Sequence, residues 1–288
     1  MNRLTRMIKD ELSGVYAGGE LESVVRILLS HYLDMSPVEA YLREKEPSEE
    51  ELDRLRQSIR QLQQHCPIQY VTGETEFYGL KFKVTPDVLI PRPETEELTE
   101  MIVRRFRRRS PASASSFKIL DVGTGSGCIA VALAVAFPSA EVWAMDISQP
   151  ALEVAAYNAA ANRVRVHFVH GDILSGTVAR RFPVNDFDMI VSNPPYVTQK
   201  ESLSMHERVY RYEPHQALFP GSRPLIFYEH IARFARGRLK PQTGLLYLEI
   251  NENLSQSTAG ILKRQHYRQI TLRKDIRGKW RFLEAAQG

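Results

Sequence analysis

From position 117 onward, short apolar runs alternate with longer stretches whose apolar residues recur at helical spacing. The runs predict strands at 118–122, 141–145, 165–169, 187–192, 244–250, 267–272 and 280–285. The periodic stretches predict helices at 128–136, 149–161, 225–236 and 254–264. Repeated strand–helix units imply an α/β domain with a seven-stranded, mostly parallel sheet covered on both faces. Ligands of such sheets sit beyond the strand C-termini, at the topological switch point.

The first 85 or so positions read differently. Leu21, Val24, Val25, Leu28 and Leu29 follow a helical period, and so do Leu52, Leu55, Ile59 and Leu62. Ser48, with Glu51 three positions on, makes a capping-box pattern at the start of the second stretch. Pro37 and Pro47 punctuate the segment, which predicts a small helical bundle with these stripes as its core. Residues 77–84 read as a β-hairpin turning at Gly79. The run Ile90-Pro91-Arg92-Pro93-Glu94-Thr95-Glu96 then enters a helix, with Pro93 in the first turn and acidic groups at the positive end of the dipole. That helix runs into Arg104-Arg105-Phe106-Arg107-Arg108-Arg109, and a Ser- and Ala-rich link follows at 110–116. The expected division is a helical domain at 1–72, a hairpin linker at 73–92 and the α/β domain at 93–288.

Bulk properties narrow the class. The chain has 288 residues, 43% of them hydrophobic and 25% charged, enough for one large domain and one small one. No apolar run reaches the ~18 residues of a membrane span. Positions 1–10 are polar, with no apolar signal region. Two cysteines, Cys66 and Cys128, lie far apart and form neither a disulfide framework nor a metal-ligand pattern. A reduced, cytoplasmic setting is expected. Net charge is +4 and the isoelectric point is near 9.0. The arginine run is read as a solvated helix end, the alternative being contact with RNA phosphates or an acidic partner.

Candidate chemistry begins at Asp121-Val122-Gly123-Thr124-Gly125-Ser126-Gly127, which follows a strand and opens a helix. The glycines let backbone approach a ligand without a Cβ clash, and the helix start is expected to offer free N–H groups. The next strand ends in Asp146, which can accept the two hydroxyls of an adenosine ribose. Capping of the following helix is its alternative role. These features do not separate a nicotinamide cofactor from S-adenosylmethionine. After the third strand, Asp172 is placed to accept from an adenine amino group with Ile173 against the ring, the alternative being a plain Gly-Asp turn.

The fourth strand runs into Asn193-Pro194-Pro195-Tyr196. Two prolines stiffen this loop and leave carbonyls without a neighbouring N–H to compete for them. An Asn amide beside a Pro carbonyl supplies acceptors for a substrate –NH2, and Tyr196 offers a flat face to a planar amide or base. Such a nitrogen is a poor nucleophile because its lone pair is delocalised. Two acceptors that hold both N–H bonds redirect the lone pair, so catalysis rests on orientation. The competing reading is a rigid turn without chemistry; the match at the end of the fourth strand, after a glycine loop and a ribose acid, favours catalysis.

With these residues in place the chain resembles the release-factor glutamine N5-methyltransferases, the PrmC/HemK family, over nearly its whole length. The carriers are 90–96, Asp121 to Gly127, Asp146, Asn193 to Tyr196, and Glu213-Pro214-His215-Gln216-Ala217-Leu218. Weaker matches are Leu248-Glu249-Ile250 and Lys274-Asp275. The resemblance implies a class I, Rossmann-like methyltransferase using S-adenosylmethionine and no metal. It implies that the helical domain grips the partner, a bacterial release factor, whose Gly-Gly-Gln glutamine is methylated in translation termination. It implies that Asn193 and the Pro194 carbonyl hold the glutamine, with Pro195 and Tyr196 beside it. Gly123, Thr124, Gly125, Ser126, Gly127, Asp146, Asp172, Ile173 and Asn193 would hold the cofactor. Two places depart from the family: Gly221-Ser222-Arg223-Pro224-Leu225 stands where it usually has G-x-D-G-L, and Ile173 where an aromatic residue is common.

Two other readings remain open at this point. A nucleic-acid methyltransferase acting on adenine or guanine amino groups shares the Asn-Pro-Pro-Tyr geometry, but no added recognition domain is visible here. A binding protein that kept the fold and lost catalysis is disfavoured by the intact motifs.

Overall fold

The computed structural model describes residues 3–33, 39, 47–107 and 117–288. Pro37, Arg108, Arg109 and the 110–116 link lie outside them. The chain divides into two compact units. The smaller comprises residues 1–74 together with His206–Tyr212, and the larger comprises Thr75–Met205 and Glu213–Gly288.

The smaller unit holds α1 (Arg3–Leu12), α2 (Gly18–Leu33), α3 (Glu49–Gln63) and α4 (Ile68–Thr72). Ser48 caps α3 with the expected reciprocal pair: its Oγ accepts from the Glu51 N–H at 3.2 Å, and its own N–H donates to Glu51 Oε2 at 2.7 Å. The core is Ile8, Leu12, Tyr16, Val24, Val25, Leu28, Leu29, Leu33, Leu55, Ile59 and Leu62. The predicted stripes are therefore packing residues, apart from Leu21 and Leu52, which sit at its margin.

The sequence did not announce that His206–Tyr212 returns to this bundle. A one-and-a-half-turn helix lies in this segment, residues Glu207–Tyr212. The Arg208 guanidinium lies 4.1 Å from the Tyr16 ring centroid, and bonds Glu20 at 2.6 Å and the Val15 carbonyl at 3.2 Å. The Tyr212 hydroxyl donates to the Gln64 carbonyl at 2.7 Å. Cation, ring and carbonyls are polar groups far apart in sequence, with no periodicity to reveal the pairing.

The larger unit begins at Thr75, within the first strand of a hairpin formed by β1 (Glu74–Phe77) and β2 (Leu80–Lys83). Tyr78 and Gly79 both take positive φ, 53° and 70°. Two consecutive left-handed residues make the turn type whose twist suits a two-residue hairpin, and Gly79 adopts it without Cβ strain. Asn158 clamps this hairpin: it accepts from the Lys83 N–H at 2.7 Å and donates to the Lys83 carbonyl at 2.9 Å. α5 (Pro93–Arg107) follows. Arg104, paired with Glu100, and Arg107 are exposed, as a solvated helix end predicts, but Arg105 turns inward to meet the buried Glu284 carboxylate at 2.8 Å.

The α/β domain contains β3 (Lys118–Val122), α6 (Cys128–Ala136), β4 (Glu141–Asp146), α7 (Gln149–Ala161), β5 (His167–His170) and β6 (Met189–Ser192). It continues through α8 (Gln199–Ser202), α9 (Glu207–Tyr212, the segment returning to the smaller unit), α10 (His215–Leu218), α11 (Ile226–Arg236), β7 (Leu245–Glu249), α12 (Ser255–Arg264), β8 (Arg268–Lys274) and β9 (Trp280–Ala286). Strand order is β5-β4-β3-β6-β7-β9-β8. All pairings are parallel except those of β9, which runs antiparallel to β7 and β8. β3 and β6 are neighbours, and the chain leaves β3 towards one edge and β6 towards the other, so the switch point lies between them. No helix among the described residues is long and apolar enough to cross a membrane.

Replacing Arg208 by Ala removes the cation–ring contact and two polar contacts that hold 206–212 on the bundle. Amide exchange across 206–212 should quicken by about tenfold, consistent with loss of ~1–2 kcal/mol from a partly desolvated cation–π contact. Exchange in α12 should not change.

Candidate functional site

The site lies at the C-terminal ends of β3, β4, β5 and β6. Asp121 pairs with Val191 across β3 and β6, and the Ser192 hydroxyl donates to the Val122 carbonyl at 2.6 Å. The glycine loop and the Asn-Pro-Pro-Tyr loop therefore start side by side. They border a cavity of about 590 Å³, within the range of small-molecule sites. Of the residues singled out from sequence, Gly123, Thr124, Gly125, Ser126, Asp146, Asp172, Ile173, Asn193, Pro194 and Pro195 line it.

Gly127 and Tyr196 do not. A Cβ on Gly127 would stand 3.0 Å from that of Ala155, and the residue has φ 81°. It lets α6 approach α7, so packing rather than ligand contact requires a glycine there. Tyr196 turns its hydroxyl to Glu249 at 2.9 Å, and its carbonyl accepts from Asn251 at 3.1 Å. Its ring packs on the sheet core, instead of forming the flat substrate platform expected from sequence.

The glycine loop also differs from expectation in its N–H groups. Those of Gly123 and Thr124 both donate to the Met145 carbonyl, at 2.8 and 2.9 Å. That of Gly125 donates to Asp146 Oδ2 at 2.8 Å, and that of Gly127 to the Thr124 carbonyl at 2.8 Å. Donors spent inside the protein make no cradle for a pyrophosphate. Asp146 does not cap α7: Ser148 does, accepting from the Ala151 N–H at 3.2 Å, while Asp146 Oδ1 takes the Ser148 N–H at 2.9 Å. Asp172 Oδ1 accepts from Leu174 at 2.8 Å, the turn geometry foreseen as its alternative role.

The charged groups on the lining are Asp87, Asp146, Asp172 and Arg92, and Arg92 is committed to the buried Glu213 at 2.5 Å. The wall is thus net acidic. It fits an adenosine ligand that carries positive charge, as a sulfonium does, better than a pyrophosphate dinucleotide. Cys128 also lines the cavity, but burial pushes its thiol up to about 12, so it does not ionise to a nucleophile.

Sequence reasoning missed two residues. Asn193 Nδ2 donates to Thr95 Oγ1 at 3.0 Å, and Thr95 Oγ1 donates to Glu249 Oε2 at 2.7 Å. Glu249 therefore accepts from both Thr95 and Tyr196. Burial raises its pKa above the ordinary 4.5, opposed by those two hydroxyls and by Arg281, with Glu94 adding to the rise. Burial and the nearby Glu249 charge hold the Tyr196 phenol well above 10, so it stays a donor. The Arg223 departure is met locally, by Glu229 at 2.7 Å.

Comparison with known proteins agrees with this geometry. Residues 94–223 match the Methyltransferase small domain family and residues 4–73 the PrmC N-terminal domain family. A release factor glutamine methyltransferase of Flavobacterium psychrophilum is 40% identical, over 95% of this chain and 94% of that protein. One of Bacteroides thetaiotaomicron is 38% identical over 99% of each. The chain belongs to the release factor glutamine methyltransferase family. Among solved structures, a T. thermophilus 16S rRNA methyltransferase in complex with AdoMet and guanosine superposes with TM-score 0.54 at 20% identity, covering 75% of this chain and 50% of that one. At that identity the likeness carries the fold alone. As a member of this family the protein is an S-adenosylmethionine-dependent methyltransferase, and the acidic cavity suits that cofactor.

Behind the cavity, burial pushes Asp121 up to about 7, against the Thr124 hydroxyl that donates to it at 2.7 Å, and Asp146 adds to the rise. Its folded pKa exceeds the unfolded 3.8, so the native state binds the extra proton and stability falls as pH rises through that interval. Asp121→Asn should flatten this fall. Through that interval the variant should lose less stability than the wild type as pH rises, read as a flatter pH dependence of urea unfolding.

Proposed function

We propose that the protein transfers a methyl group from S-adenosylmethionine to the side-chain amide nitrogen of the glutamine in the Gly-Gly-Gln loop of bacterial peptide chain release factors. The observation that carries this reading is the pair of acceptors at the start of the Asn-Pro-Pro-Tyr loop. Thr95 holds one end of the Asn193 amide. Pro195 supplies no N–H next to the Pro194 carbonyl, which no protein donor takes among the described residues. A primary amide has two N–H bonds for these two acceptors, and the orientation they impose turns its lone pair out of conjugation.

When bound, S-adenosylmethionine supplies an electrophilic methyl on a good leaving group. The protein's part is to orient. Gly123, Thr124, Gly125 and Ser126 shape the wall by backbone, Asp146 takes the ribose hydroxyls, and Asp172 with Ile173 takes the adenine. Asn193 and Pro194 hold the glutamine amide. The nitrogen's proton is lost after transfer, when the nitrogen is positively charged and acidic, so no strong base is required before it. The N-terminal bundle supplies the grip on the release factor. Nucleic acid is not a substrate in this reading, and the protein works in the reducing cytoplasm, its two thiols free.

Labelled cofactor incubated with a recombinant release factor should place one methyl group on the Gly-Gly-Gln glutamine, located by mass spectrometry. Asn193→Ala should lower turnover by about a thousandfold, as loss of an orienting contact in a site that works by position, while cofactor affinity stays within a few-fold. Label on ribosomal RNA or DNA with none on the factor would overturn the reading.

A further inference from the structure

A carboxamide has two ends of similar shape and opposite hydrogen-bonding sense. If Asn193 is to accept from a substrate –NH2, its oxygen must face the substrate. The reverse orientation sets one –NH2 against another. Nothing in the loop's own sequence decides between them.

We infer that Glu249 and Thr95 are positioning residues that set which end of the Asn193 amide faces the substrate. Proton positions fix this role, which rests on the glutamine reading of the site. Glu249 is 1% exposed and Thr95 is 3% exposed, so water does not exchange freely with either. The Tyr196 hydroxyl donates to Oε1 at 2.9 Å and the Thr95 hydroxyl to Oε2 at 2.7 Å. Ionised, the carboxylate only accepts. The single Thr95 proton is then committed to Glu249, and Thr95 Oγ1 has only lone pairs to show Asn193 at 3.0 Å. Asn193 must answer with its –NH2, and its Oδ1 is the end left for the substrate. If Glu249 gains a proton, it donates to one hydroxyl and a Thr95 proton becomes free for Asn193. The amide then gains by rotating, with its –NH2 towards the substrate.

The groups around Glu249 leave it as the switch. Tyr196 lies on the loop after β6, Tyr228 on α11 and Cys128 on α6; burial holds all three in their protonated forms, with Cys128 at about 12. Arg281 on β9 faces it as a cation tied to Asp275 at 3.4 Å, and Glu94 on α5 opposes ionisation. The ionised form of Glu249 is the active one, so turnover is lost as pH falls through its raised pKa and is full above it.

Three variants and the wild-type pH profile test this, with methyl transfer to a recombinant release factor as the assay. Cofactor affinity is measured separately by calorimetry. The wild-type kcat should fall on the acid side with a single-proton limb, its midpoint above the ordinary glutamate value. Thr95→Val, which keeps the shape and removes the relay, should lower kcat by about tenfold to a hundredfold with cofactor affinity within a few-fold. Thr95→Ser should recover most of that loss. Glu249→Gln should lower kcat similarly and abolish the acid limb. The Thr95 pair carries the test should Glu249→Gln not fold. Turnover of Thr95→Val within about twofold of wild type, equal loss in the Val and Ser variants, or an acid limb unchanged in Glu249→Gln would each overturn the inference while wild-type transfer leaves the glutamine reading standing. No transfer by the wild type would overturn that reading and this inference with it.

Discussion

A carboxylate out of contact with water has no choice of hydrogen-bonding role, and in this fold Glu249 accepts from hydroxyls on two separate segments. Thr95 comes from the first turn of α5 and Tyr196 from the loop after β6. Tyr196 fixes the far end of the Asn-Pro-Pro-Tyr loop and Thr95 fixes its first side chain. Burial makes each bond costly to lose, because the unpaired charge would have no solvent to turn to. The loop is rigid for two reasons: its prolines restrict the backbone, and one buried acid at the end of β7 anchors its side chains.

The cavity that meets this loop follows from the order of strands. Because β3 and β6 are parallel neighbours, a glycine loop and a proline loop emerge together, joined by the Ser192–Val122 bond. The glycines are used for backbone geometry, and their N–H groups close on Met145, Asp146 and Thr124. A loop whose donors are spent has little to offer an anion, and the lining carries three aspartates. The same glycine pattern that serves phosphates elsewhere here borders a cavity suited to a ligand whose charge is positive.

Much of this was legible in the sequence because it is local. Gly123 to Ser126, Asp146, Asp172 and Asn193 to Pro195 sit at strand ends, and strand ends are set by short apolar runs that periodicity reveals. The seven-stranded sheet was legible for the same reason, although β5 begins two residues later than its apolar run and β8 extends two further. What sequence hid was pairing at a distance. Thr95 is 98 residues from Asn193 and 154 from Glu249. Its place inside the Pro91–Glu96 segment drew attention to the prolines and acids around it, and Glu249 read as one end of an apolar strand. A charged residue closing a fully buried strand was the available signal. Gly127 shows the opposite error: it belongs to the motif by pattern, yet its Cβ space is taken by Ala155.

The proposed function requires that two acceptors hold a primary amide, with the orientation of one set from behind. A neutron structure of the protein with S-adenosylhomocysteine and a release factor, at deuterium-resolving quality, tests it directly. The glutamine nitrogen should donate to Asn193 Oδ1 and to the Pro194 carbonyl, with Asn193 Nδ2 donating to Thr95 Oγ1 and the Thr95 hydroxyl donating to an unprotonated Glu249. A glutamine nitrogen held by other groups, or an Asn193 amide turned the other way with turnover intact, would contradict it.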